Sequence, residues 1–113
     1  MIYDHARALA AELKASDEYL AYKEAKERAF AKESTRALLA EYQKLRRKAQ
    51  ATMLSGESSE ELMGKLQKLG EVLQFDADAS AYLMAEYRIS TLLGDLYKIL
   101  AEAVDISLSE FER

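Results

Sequence analysis

The sequence predicts an all-α protein, and three observations carry that prediction. Pro is absent and Gly occurs only four times, where average usage would place roughly six and eight in a chain of this length. Apolar residues recur at three- and four-residue spacing along most of the chain, the period of a helix with one covered face. The commonest residues are the strong helix formers Ala, Leu, Glu and Lys. With 113 residues there is room for one small domain. The expected architecture is a helical bundle of about five helices with a long antiparallel central hairpin. It is a single domain over residues 1–106, followed by a frayed tail at 107–113. Of the apolar residues 19 are Ala, so the core must come from the 17 Leu, the four Met and the ten aromatics.

The first helix is expected from about Ile2 to Lys14, where Ile2, Ala6, Leu9 and Leu13 share a stripe. Ser16 is a favourable N-cap for the second, with Asp17 and Glu18 in the first turn, where negative charge suits the helix dipole. That helix carries Tyr19, Tyr22, Ala25 and Ala29 on one face and ends near Phe30. The junction Lys32–Thr35 has no Gly or Pro, so it reads either as a break capped by Ser34 or as a continuous helix. The third helix runs to about Leu54 along Leu38, Tyr42, Leu45, Ala49 and Thr52 or Met53.

Ser55-Gly56-Glu57-Ser58 is the clearest break. Gly56 suits the left-handed position after a helix, and Ser58 with Glu61 reads as a capping box. So short a loop turns the chain back antiparallel. The fourth helix then presents Leu62, Leu66, Leu69 and Leu73. Gln74-Phe75-Asp76 closes it, with Asp76 as cap and Asp78 as dipole partner for the last helix. That helix extends to about Ala103, with one stripe of Ala85, Ile89, Leu92, Leu96, Ile99 and Ala103, broadened by Leu83, Leu93, Tyr97, Leu100 and Val104. An apolar arc wider than about 100° implies burial on more than one side.

The same composition limits the chemistry. There is no Cys, which removes disulfides, thiolate nucleophiles and Cys-ligated metals. His5 stands alone, whereas a di-iron carboxylate bundle needs Glu-x-x-His on two helices. The four glycines are isolated and form no phosphate loop. Ser90 and Thr91 lie mid-helix, where a hydroxyl usually bonds the preceding turn or water. No enzyme activity, cofactor or metal is expected. The uninterrupted apolar runs are far shorter than the about 20 residues of a spanning helix. Asp4 and Arg7 fall where a signal peptide would be apolar, so a cytoplasmic location is expected. Acidic and basic residues number 20 and 16, for a net charge of −4, which argues against a dedicated nucleic-acid module.

Two features remain as candidate sites. Lys44, Arg46, Arg47 and Lys48 form the one dense basic cluster, with Lys65 and Lys68 on the facing arm. They make an RNA-contacting accessory protein the alternative function, although no aromatic is interleaved to stack bases. Leu92, Leu93, Leu96, Tyr97, Ile99 and Leu100 are the candidate interface, expected to pair a homodimer. The seven Tyr suit either such interfaces or shallow cores.

Glu18–Lys26 (EYLAYKEAK), Ala37–Gln50 (ALLAEYQKLRRKAQ) and Tyr82–Ala103 (YLMAEYRISTLLGDLYKILAEA) resemble the YlbF/YmcA family of small helical bacterial proteins, over about residues 2–106. The resemblance implies a cytoplasmic, non-catalytic, dimer-forming regulatory adaptor. Characterised relatives join a complex that modulates RNase Y-dependent mRNA processing and influences competence, sporulation and biofilm formation. The Cys-bound iron–sulfur clusters of that complex cannot transfer to a chain without Cys. Asp17, Glu33 and Ala77 stand where several relatives are expected to have Pro at a first helical position.

Overall fold

The computed structural model describes residues 1–56 and 59–105. Five helices follow in order: α1 (Ile2–Lys14), α2 (Asp17–Ala31), α3 (Glu33–Leu54), α4 (Glu60–Gln74) and α5 (Ala77–Ala103). Among the described residues there is no strand. Asp17, Glu33 and Ala77 each open a helix, the positions where Pro was expected in relatives. Pro is favoured there because the first N–H of a helix has no intrahelical partner.

The caps explain the boundaries. Ser16 Oγ accepts from Tyr19 N at 3.2 Å, as its place before α2 predicts. The junction to α3 is a true break, but Ser34 does not make it. Lys32 takes an extended conformation at φ −93° and ψ 122° and precedes the helix without a side-chain cap bond. One residue in the β region suffices to stop one helix and start another, which is why no Gly or Pro marks the place.

Gly56 has φ +82°, the left-handed conformation that a Cβ disfavours. Ser58 lies outside the described residues. The cap of α4 is Ser59, whose Oγ accepts from Leu62 N at 3.2 Å. Asp105, at φ +56°, closes α5 in the left-handed region that Asp tolerates. The tail at 107–113 lies outside the described residues.

The chain divides into two compact units, with the boundaries inside α2, after Tyr22, and inside α5, after Leu83. The unit spanning Lys23–Leu83 holds the hairpin. α3 and α4 pack against each other. Tyr42 lies beside Gly70, where an added Cβ would sit 3.8 Å from Tyr42 Cε1. Thr35 pairs with Asp76 and Met53 faces the same cleft as Met63. Residue numbers thus rise along one arm as they fall along the other, as an antiparallel pair requires. Leu39, Leu45 and Leu73 are buried in this unit, with Ala25, Ala29 and Ala79. Tyr82 is 2% exposed, its ring 5.3 Å from that of Phe30, and its hydroxyl accepts from Gln43 Nε2 at 3.4 Å. Of the predicted α3 stripe, Leu45 is buried, Leu38, Tyr42 and Ala49 are half-buried and Met53 is exposed.

A polar cluster ties the end of the hairpin remote from Gly56. Asp76 Oδ1 accepts from the N–H groups of Asp78 and Ala79 at 3.1 Å, the expected cap. Its Oδ2 accepts from Thr35 Oγ1 at 2.6 Å. Thr35 is 1% exposed, so this bond satisfies a hydroxyl shut away from water. Lys32 Nζ meets Asp78 Oδ2 at 2.9 Å. The Thr35 hydroxyl, then the Ala79 N–H, hold the Asp76 carboxyl below its ordinary range. The bond to Asp78 and its charge raise the Lys32 ammonium.

The other unit gathers Met1–Tyr22 and the chain from Met84 onward. Ala85, Ile89 and Ala101 are buried in it. Leu9, Leu13, Tyr19, Leu92 and Leu96 are half-buried. The α5 stripe was expected to continue through Ile99 and Ala103, but both are exposed. Ala101 is covered instead, and it lies about 120° around the helix from Ile89. The covered side of α5 therefore changes toward its C-terminus, a property of its neighbours rather than of its own period.

Candidate functional site

Two surfaces emerge from this framework, one on each unit. The first is on α5. Among the candidate interface residues, Leu92 and Leu96 are half-buried and belong to the covered side. Leu93, Tyr97, Ile99 and Leu100 are exposed, Tyr97 by 63% and Leu100 by 60%. Leu93, Tyr97 and Leu100 follow one another at 4 and 3, so they form one line along the helix, and Val104, in the turn just after it, continues the spacing. Val104 is as exposed as Leu100, at 60%. Ile99 lies off this line, on the far side of Leu92. An unbroken row of large apolar side chains open to water is the form of a helix-pairing seam.

The second surface is a cleft between the arms of the hairpin, near the Gly56 turn, with a volume of about 420 Å³. Gln43, Arg46, Arg47 and Gln50 line it from α3, and Met53, Met63 and Leu66 supply its apolar part. Arg46 also lies over the Tyr42 ring at 5.6 Å. The structure thereby splits the basic cluster. Arg46 and Arg47 face the cleft, whereas Lys44 and Lys48 do not line it. The positions from 44 to 48 go more than once around the helix at about 100° each, and both lysines sit more than about 120° around α3 from the mean direction of the cleft residues. On α4, Lys65 is paired with Glu61 at 3.5 Å. A run that is dense in sequence is not one patch in space.

Sequence reasoning missed this cleft. Its signal is a second row on α3, in which Gln43, Arg46 or Arg47, Gln50 and Met53 recur beside the Leu stripe. The Tyr residues fall into three groups that their spacing did not separate. Tyr82 is core, Tyr19, Tyr22 and Tyr42 are half-buried, and Tyr3, Tyr87 and Tyr97 are exposed.

Among the described residues no group of three His, Cys, Asp or Glu is placed to hold a metal ion. Nor is any of these helices long and apolar enough to cross a membrane.

A chain of five helices built on an antiparallel hairpin, with its exposed features in apolar and mixed surfaces, falls in the class of small all-helical proteins. Residues 2–105 match the family described as "Control of competence regulator ComK, YlbF/YmcA", and the chain belongs to that family, a regulatory one. It is 43% identical over 108 residues to a UPF0342 protein of Symbiobacterium thermophilum, covering 95% of this chain and 96% of that one. It is 35% identical over 113 residues to a UPF0342 protein of Halothermothrix orenii, covering 99% and 96%. Its fold is similar to that of a solved protein of unknown function (DUF964) from Bacillus stearothermophilus, with a TM-score of 0.78 at 16% identity over 92% of each chain.

Proposed function

We propose that this chain is a non-catalytic regulatory adaptor. It works in the cytoplasm as a homodimer through helical protein–protein contacts, and it modulates RNase Y-dependent mRNA processing upstream of competence, sporulation or biofilm development. The observation that carries this reading is the exposed row Leu93, Tyr97 and Leu100 on α5, continued by Val104 just after it. Such a row gains stability when a second helix covers it, and it offers nothing to a reacting substrate. The family's description as a control of a competence regulator supports a regulatory role.

The test is genetic and physical together. Deleting the gene in its host should change the abundance of RNase Y-processed transcript ends, and the wild-type chain should restore them. A Leu93→Asp/Leu100→Asp variant should sediment as a monomer and fail to restore them. A variant that is monomeric yet fully active would remove the dimer from the function. Salt-dependent RNA binding by the wild-type chain, abolished by Lys44→Glu/Lys48→Glu, would favour the RNA-contacting reading instead.

A further inference from the structure

We infer that the cleft between α3 and α4 is a docking groove for an acidic amphipathic helix of a partner protein. The inference rests on the adaptor reading and deepens it, by assigning partner recognition to a surface separate from the α5 row. Three observations carry it.

The first is shape. The cleft lies between two antiparallel helices, the geometry into which a third helix packs. From Gln43 to Met53 it runs roughly 15 Å along α3, which is about three turns of an incoming helix. The second is the apolar floor. Met53 is 75% exposed and shares the cleft with Met63 and Leu66. Unbranched, polarisable Met side chains adapt to an apolar stripe that they do not match in advance. The third is charge. Arg46 and Arg47 both line the cleft while Lys44 and Lys48 do not, so two guanidiniums stand at the groove itself. A guanidinium binds a carboxylate in a bidentate fork, and Arg is enriched at interface hot spots. Gln43 and Gln50 add donors and acceptors without adding negative charge. The chemistry that fits is therefore a helix with Leu- or Met-type residues at i, i+3 or i+4, and i+7, bordered by Glu or Asp.

The experiment uses the full-length chain and three labelled probes, read by fluorescence anisotropy. One is an 18-residue helical peptide with that Leu stripe flanked by Glu. The second is the same peptide with Lys in place of Glu. The third is a single-stranded oligouridylate. The acidic peptide should bind at least tenfold more tightly than the basic one, and binding should weaken with added salt. Arg46→Glu/Arg47→Glu should lower its affinity at least tenfold. Gln50→Glu, which keeps both guanidiniums but sets a carboxylate one turn from Arg46 and Arg47, should lower it severalfold. Lys44→Glu/Lys48→Glu should change it less than threefold. Helical circular dichroism and melting temperature would confirm that each variant folds, and the Gln50 variant keeps the test open if the double Arg variant does not.

Equal binding of the acidic and basic peptides would overturn the proposal. So would unchanged affinity in both the Arg46/Arg47 and Gln50 variants. Oligouridylate binding that is lost with Arg46 and Arg47 while the acidic peptide is ignored would reassign the cleft to phosphate. Dissociation of a homodimer by Gln50→Glu would make the cleft a contact between copies of this chain, which also overturns it. Failure of the groove with the α5 row still required for transcript processing would leave the adaptor reading standing. Loss of both would take the adaptor reading with it.

Discussion

At the scale of single residues, Asp76 does two things at once. One of its oxygens caps α5 while the other holds the buried Thr35 hydroxyl. Asp76→Ala removes the cap and orphans that hydroxyl, and the two losses together should cost roughly 2–4 kcal/mol in urea unfolding. Asp76→Asn keeps the cap acceptor in its Oδ1, and its Nδ2–H can donate to the Thr35 oxygen with the hydroxyl bond reversed, so it should cost less. The pH dependence follows from the direction of the shift. The folded carboxyl titrates below its unfolded value of about 3.9, so its contribution is complete above that pH and is lost as pH falls through the lower folded value. Urea midpoints taken between pH 7 and pH 2.5 should therefore drop below about pH 4, and the drop should shrink in Thr35→Val. Lys32 titrates above its ordinary value. The Lys32 charge that meets Asp78 is accordingly complete below about pH 10.4 and is lost as pH rises through the raised folded value. The cap was readable from Asp76 standing before Ala77 and Asp78. The bond to Thr35 was not, because nothing local in the chain ties two residues that only the hairpin brings together.

At the scale of elements, the hairpin separates two kinds of Leu that look alike in sequence. Leu39 and Leu73 are almost wholly buried, and truncating either to Ala should cost roughly 2–5 kcal/mol. Leu66 shares the same apparent stripe as Leu73 but is half-buried and lines the cleft, so Leu66→Ala should cost under about 2 kcal/mol. Thermal or urea unfolding of the three variants checks the order, and a Leu66 loss equal to that of Leu39 would place Leu66 in the core. In α5 the row at Leu93, Tyr97 and Leu100 is not needed to bury the unit's own interior. Leu93→Asp/Leu100→Asp should therefore leave the melting temperature of the monomer within a few degrees while abolishing self-association. An alternating-burial pattern of this kind shows in sequence only as excess width of the apolar arc.

At the scale of the whole molecule, two outcomes are expected. Sedimentation at micromolar concentration should give a species of twice 12.8 kDa that dissociates on dilution, since a helical seam of a few residues makes a modest interface. A single 12.8 kDa species at every concentration would reduce the α5 row to an exposed edge. Residues 1–106 should also melt as a single domain. Both unit boundaries fall inside continuous helices rather than in linkers, so breaking one unit would have to fray α2 and α5. Calorimetric and van't Hoff enthalpies should then agree, whereas two resolved transitions would make the units independent.

What the sequence determined by itself is whatever depends on neighbours along the chain. The five helices, their caps at Ser16 and Asp76, the left-handed turn at Gly56 and the antiparallel return of α4 are all local consequences of spacing, side-chain acceptors and short loops. Family membership belongs with them, because those same patterns carry the resemblance. Only the tertiary structure decided which of two adjacent stripes is covered. It set the break at Lys32 rather than at Ser34, and it seated Ser59 as the cap of α4. It divided Lys44 and Lys48 from Arg46 and Arg47, and it turned the covered side of α5 from Ile99 and Ala103 to Ala101. A helix's period fixes which residues share a face, but burial is a property of the neighbour that comes to that face, and no local pattern names the neighbour.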